Sequence, residues 1–128
     1  MLTNSNTFSS FSVPDIAEAK RFYADTLGLT VKETPEGLQI PTGSGDVFVY
    51  HSTTNKPADF TILNFTVDDM SAAVDDLMQK GITMEHYDLP GIKTDDKGIA
   101  HGDGTNGPKA MAWFKDPAGN ILGLMQEK

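Results

Sequence analysis

Cysteine is absent from this chain of 128 residues. Disulfide bonds, thiolate metal sites and cysteine nucleophiles are therefore excluded, and the composition fits a reducing compartment. Positive charge is scarce: ten Lys and Arg stand against eighteen Asp and Glu, a net charge of −8. That sign opposes binding to nucleic acid or to an anionic membrane; it serves solubility or suits a cationic small molecule. Long apolar runs are missing as well. No stretch approaches the length that spans a bilayer, and residues 1–7 lack a basic segment followed by an apolar one. The expectation is a cytoplasmic protein, in one domain over residues 1–128. Gly-x-Gly-x-x-Gly, Gly-x-Ser-x-Gly and a phosphate loop are all lacking. His101-Gly102-Asp103-Gly104 reads as a flexible turn cluster, and Asp88, Asp95, Asp96 and Asp103 lack the ligand spacing of a calcium loop.

What is present starts at the C-terminal end. In the run Phe114 to Gln126, Asp116 opens a tight turn, Pro117 presets φ for the turn, and Gly119 supplies the positive φ that returns the backbone into a strand. This predicts a hairpin whose second arm is apolar on both faces and holed at Gly123. Upstream, Ser9 to Val13 reads as a strand, and Asp15 then caps a helix that stops at Gly28. Short strands follow at about Leu29 to Glu33, Gly37 to Pro41 and Gly45 to His51. After Lys56 to Asp59 the order restarts, with a strand from Phe60 to Val67 and a helix from Asp69 to Lys80 that ends at Gly81.

A shift of 54 lays Val13 on Val67 and Asp15 on Asp69, and a shift of 74 lays Gly45 on Gly119 and Val47 on Ile121. The chain therefore reads as two copies of a βαβββ plan, module 1 about 7–53 and module 2 about 58–127. The twenty-residue difference between the shifts falls in an inserted loop, 87–107, with no strand or helix period. Such a half would bury its apolar face poorly alone, so the copies are expected to pair. Alternation then divides the strands. Phe11, Val13, Phe48, Tyr50, Leu63, Phe65, Val67, Leu122 and Leu124 form an apolar set suited to packing under the helices. The opposite set is mixed: Phe8, Ser10 and Ser12; Val47, Val49 and His51; Ile62, Asn64 and Thr66; Ile121, Gly123 and Met125. Apolar walls with a few hydroxyl, amide and imidazole groups fit a small-molecule cleft. The alternative is that these polar groups bond to one another or to buried water.

Three stretches carry a resemblance: Val13-Pro14-Asp15 through Tyr23 into Leu27-Gly28-Leu29, Val67-Asp68-Asp69-Met70 through Gly81, and Phe114 to Asn120. With them the chain resembles the vicinal oxygen chelate superfamily, which holds the glyoxalases, bleomycin-resistance proteins and extradiol dioxygenases. The resemblance implies an α+β fold of two βαβββ modules whose curled mixed sheets surround a central cleft. It also implies a homodimer. Catalytic members hold a divalent metal with His, Gln or Glu from the first and last strands of each module. Here those positions fall on Phe8, Val49, Ile62 and Gly123, none of which donates to a metal, so no metal and no cofactor is expected. Shifting the register by two would present Ser10, His51, Asn64 and Met125, with His51 the only common ligand.

The function this implies is a metal-free small-molecule-binding protein of the bleomycin-resistance type, associated with antibiotic resistance. It would sequester or carry a small, aromatic or cationic compound. The expected lining is Phe8, Ser10, Ser12, Val49, His51, Ile62, Asn64, Trp113, Gly123 and Met125. Trp113 either stacks on the ligand or belongs to the core, and loop 87–107 would close as a lid. The alternative is a glyoxalase-like lyase or isomerase, or a dioxygenase-like enzyme, with displaced metal ligands or with His51 or His101 as a metal-free base. A third reading is an assembly subunit with a vestigial cleft.

Overall fold

Two aspartates start the two helices. Asp15 Oδ1 accepts the Glu18 backbone N–H at 3.0 Å and Asp69 Oδ1 accepts that of Ala72 at 3.1 Å, each from an extended N-cap. In the computed structural model, which describes residues 1–128, helix α1 (Ile16–Lys20) continues as a π-helix (Arg21–Thr26) and helix α2 is Met70–Gln79. The chain leaves them through Gly28 and Gly81, both at positive φ. Neither is long and apolar enough to cross a membrane.

The residues divide into two compact units, Met1–Pro57 and Ala58–Lys128. In the first, strands β1 (Ser9–Val13), β2 (Lys32–Thr34), β3 (Gly37–Thr42) and β4 (Gly45–His51) form a sheet of order β1-β4-β3-β2. β1 runs parallel to β4 and the other pairs are antiparallel. The strand expected from Leu29 begins only at Lys32, because the Leu29 N–H is already spent on Tyr23 O at 3.0 Å, closing the helix end. α1 packs on β3 and β4. Phe11, Val13, Ala19, Tyr23, Leu38, Ile40, Val47 and Val49 are buried there, with the Phe11 and Tyr23 rings 5.8 Å apart.

That core corrects the expected face of β4. Phe11 stands opposite Val49 and Ser10 opposite Phe48. Directly paired residues share a face, so Val47, Val49 and His51 have the core parity while Phe48 and Tyr50 have the open one. The inversion comes from laying Gly45 on Gly119. Gly45 is already paired with Thr42 inside its hairpin, whereas Gly119 sits in a turn two residues ahead of its strand. A one-residue error in register exchanges the two faces of a strand.

The second unit repeats the plan. β5 (Thr61–Thr66), β8 (Ile99–His101), β9 (Ala110–Lys115) and β10 (Ile121–Gln126) form a sheet of order β5-β10-β9-β8, with β5 parallel to β10. α2 packs on β9 and β10. Here the expected parity holds: Leu63 pairs with Leu122 and Phe65 with Leu124 on the helix side, and Asn64 with Gly123 and Thr66 with Met125 on the other. The β9–β10 turn is built on Asp116. Its Oδ1 accepts the N–H of Ala118 (3.0 Å) and Asn120 (2.8 Å), its Oδ2 accepts Asn120 Nδ2 (3.0 Å), and Gly119 takes φ 92°.

Segment 87–107 is not a bare loop. It holds a short hairpin, β6 (Asp88–Leu89) with β7 (Ile92–Lys93), and β8, the edge strand that completes the second βαβββ. Strands of two and three residues are too short to display a period of two. The segment is pinned at several points: Thr94 Oγ1 accepts Tyr87 N–H at 2.8 Å, Asp95 Oδ1 accepts the N–H of Lys97 and Ile99, and Lys97 Nζ reaches Asp75 (2.6 Å) and Ser71 (2.8 Å) on α2.

Candidate functional site

Strand alternation in the first unit puts Phe8, Ser10 and Ser12 on the face away from α1, beside Phe48 and Tyr50 of β4 and Gln39 of β3, which is paired with Phe48. This open face carries exposed aromatic surface: Phe8 is 69% and Tyr50 42% accessible. Over one end of it lies a pocket of about 970 Å³, walled by Phe8, Phe48, Gln39, Thr34, Glu36 and Asp46 and bounded by residues 5–7. The volume is within the range that holds small organic ligands. Gln39 Nε2 donates to Asp46 Oδ2 at 2.6 Å, fixing that carboxylate at the rim. Two carboxylates line the pocket and no Lys, Arg or His does.

Of the residues expected at a site, only Phe8 lines this pocket; it meets Phe48 there, which the alternation of the sequence assigns to the core. Ser10 shares the face, and the Ser12 hydroxyl donates to Asn55 Oδ1. Val49 is fully buried on the opposite face, and His51 is exposed at that same parity, opposite Val13. Gln39, Glu36, Thr34 and Asp46 escaped the sequence reading. The signal for Gln39 was present, as one amide between Leu38 and Ile40 in an alternating strand; Glu36 and Asp46 sit in or beside turns, where acidic residues carry no distinguishing pattern.

On the open parity of the second unit lie Asn64 and Thr66 of β5, Gly123 and Met125 of β10, and Trp113 of β9, which pairs with Gly123, while Ile62 falls at a register shift in the β5–β10 pairing. The Asn64 side chain covers Gly123 and fills the space a Cβ would take. Trp113 is buried, with the Tyr87 ring edge-on at 5.3 Å and 82°, so its indole is covered by its own chain. His101 pairs with Ala110 on the helix-side parity. Its Nε2 lies 2.7 Å from Asp95 Oδ2. Burial raises the Asp95 carboxyl, but the hydrogen bond and charge of His101 and the N–H groups of Ile99 and Lys97 outweigh it and hold the group below its ordinary value of 3.8.

The register also fixes which positions correspond between modules. Ser10 pairs with Phe48 as Asn64 pairs with Gly123, so the counterpart of Gly123 is Phe48 rather than Val49. The four positions are then Phe8, Phe48, Ile62 and Gly123, and none offers a side-chain nitrogen or oxygen. Nowhere do three His, Asp or Glu side chains converge. These residues do not fit a divalent ion.

Two βαβββ units, each with a mixed sheet, define an α+β protein of the glyoxalase-like class. The chain belongs to the Glyoxalase/Bleomycin resistance protein/Dioxygenase superfamily, whose family model matches residues 7–124. Among solved structures it is similar to TnmS3, an antibiotic binding protein from Streptomyces sp. CB03234, with 25% identity, 98% of each chain covered and a TM-score of 0.66. It is also similar to a glyoxalase family protein from Enterococcus faecalis (19% identity, 98% and 99% covered, TM-score 0.70). The fosfomycin resistance protein FosX from Listeria monocytogenes shares the fold at 8% identity (98% and 94% covered, TM-score 0.68). No curated protein sequence matches the chain.

Proposed function

We propose that this protein binds a small aromatic compound without a metal, on the open face of its first sheet, and works by sequestering or carrying it. The observation that carries the reading is the pocket of about 970 Å³ whose apolar walls are the rings of Phe8 and Phe48. Aromatic side chains exposed in a concavity stabilise a bound ring by area burial and by stacking. The donor-free set Phe8, Phe48, Ile62 and Gly123 supports a binding role over metal-assisted lyase or dioxygenase chemistry. A metal-free base is supported no better, since His51 has the opposite parity to Phe48, and His101 the opposite parity to Asn64. The likeness to TnmS3, described as an antibiotic binding protein, supports an antibiotic as the cargo. A cytoplasmic homodimer belongs to the same proposal, and light scattering on the purified protein reads the assembly.

Thermal unfolding tests the reading. A ligand present at one hundred times its Kd stabilises the fold by about 2.7 kcal/mol, so an aromatic antibiotic that fits raises the midpoint by several degrees. Phe48→Ala abolishes the rise. Nickel, zinc and manganese leave the midpoint unchanged. Micromolar, one-to-one binding of any of these ions, with no aromatic compound bound, overturns the proposal.

A further inference from the structure

We infer that the first-sheet pocket selects a compound carrying a basic nitrogen beside its aromatic ring, and that Asp46 is the residue that reads the charge. This deepens the reading above and rests on it. Asp46 and Phe48 are two apart on one face of β4, so their side chains stand roughly 7 Å from each other along the strand. A ring lying against Phe48 and Phe8 thus reaches Asp46 with an amine held two or three bonds away.

Asp46 is prepared for this. The Gln39 amide, donating to Oδ2 at 2.6 Å, orients the carboxylate. A charged acceptor held by a neutral donor keeps its full charge, whereas a lysine partner would have cancelled it. Glu36 adds a second carboxylate to the lining. The nearest base by register is Lys32, opposite Gln39 on β3, and it does not line the pocket. A cation also gains from the faces of the two phenylalanines, and the net charge of −8 draws it in. A carboxylate or phosphate on the ligand would meet two like charges with no counter-ion.

The test is an NMR titration of backbone amides in the full chain with four probes: 2-(2-naphthyl)ethylammonium, the corresponding alcohol, 3-(2-naphthyl)propanoate and hexylammonium. The ammonium binds roughly tenfold tighter than the alcohol, as expected for a hydrogen bond to a charged group. Its affinity falls with added salt while that of the alcohol does not. The shifts centre on Gln39, Asp46 and Phe48. Asp46→Asn, at an exposed site where the fold is not at risk, removes the preference for the ammonium over the alcohol. Gln39→Leu weakens the ammonium alone, which marks Gln39 as a positioning residue, and Phe48→Ala weakens both ring compounds. Equal binding of ammonium and alcohol, tighter binding of the propanoate, or a preference that survives Asp46→Asn overturns the inference while leaving the aromatic site standing. If no ring compound binds, the site reading falls and this inference with it.

Discussion

Asn64 Oδ1 lies where a Cβ on Gly123 would have to be, with Thr61 Cγ2 at 3.2 Å from the same point. The gap in β10 is therefore filled by a neighbouring strand's amide and is not ligand space. Gly123→Ala must push the Asn64 side chain off its rotamer, at a cost of about 1 kcal/mol in urea unfolding. Replacing Asn64 by Ala in the same chain removes the obstruction. The double variant then recovers most of that loss, and a coupling below about 0.3 kcal/mol in the mutant cycle would refute the contact.

Val49 and Phe48 are chain neighbours with opposite duties. Val49→Ala opens a cavity in the first unit's core and costs about 2 kcal/mol of stability, with no change in affinity for an aromatic ligand. Phe48→Ala costs little stability and most of the affinity. Denaturation midpoints and titrations on the two variants separate the effects, and a Val49→Ala chain that loses ligand at unchanged stability would restore the opposite facing of β4.

How far the sequence could be read follows from where its signals were local. Asp15 and Asp69 mark helix starts because a cap is a matter of three residues, and both caps form. The Asp116 to Asn120 turn was equally legible. The face of β4 was not, because it depended on aligning two glycines with different roles across a duplicated plan. β6, β7 and β8 were hidden by their shortness. At the candidate site, Phe8 was legible and Phe48 was placed on the wrong face, while Asp46 and Glu36 looked like any acidic residue near a turn until β3 and β4 brought them around one pocket.

The Asp116 turn should be the costliest single polar loss. Its buried carboxylate accepts the N–H groups of Ala118 and Asn120 and the Asn120 side-chain amide, and removing it takes that acceptor from all three. Asp116→Ala is expected to lose about 3 kcal/mol. Asp116→Asn keeps one oxygen for the backbone donors and loses less. Denaturant unfolding ranks the two, and equal losses would show that the oxygen asparagine retains for the backbone donors contributes nothing.

Asp95 gives the fold a dependence on acid that can be assigned to one contact. Its carboxyl is held below 3.8 in the folded chain, so folding favours the ionised form. The stabilisation is complete above the unfolded value and is lost as pH falls through the folded one. The difference in stability between the native chain and Asp95→Asn should shrink from about pH 4 downward. Asparagine keeps an oxygen for the Lys97 and Ile99 N–H groups but loses the His101 partnership, so what remains of the difference reports that pair. In His101→Ala, burial is opposed only by the two backbone donors, and the Asp95 carboxyl moves up toward its ordinary value. Carbon-13 NMR titration of that carboxyl measures the move directly, and an unchanged midpoint in His101→Ala would mean that the turn's backbone alone keeps Asp95 ionised.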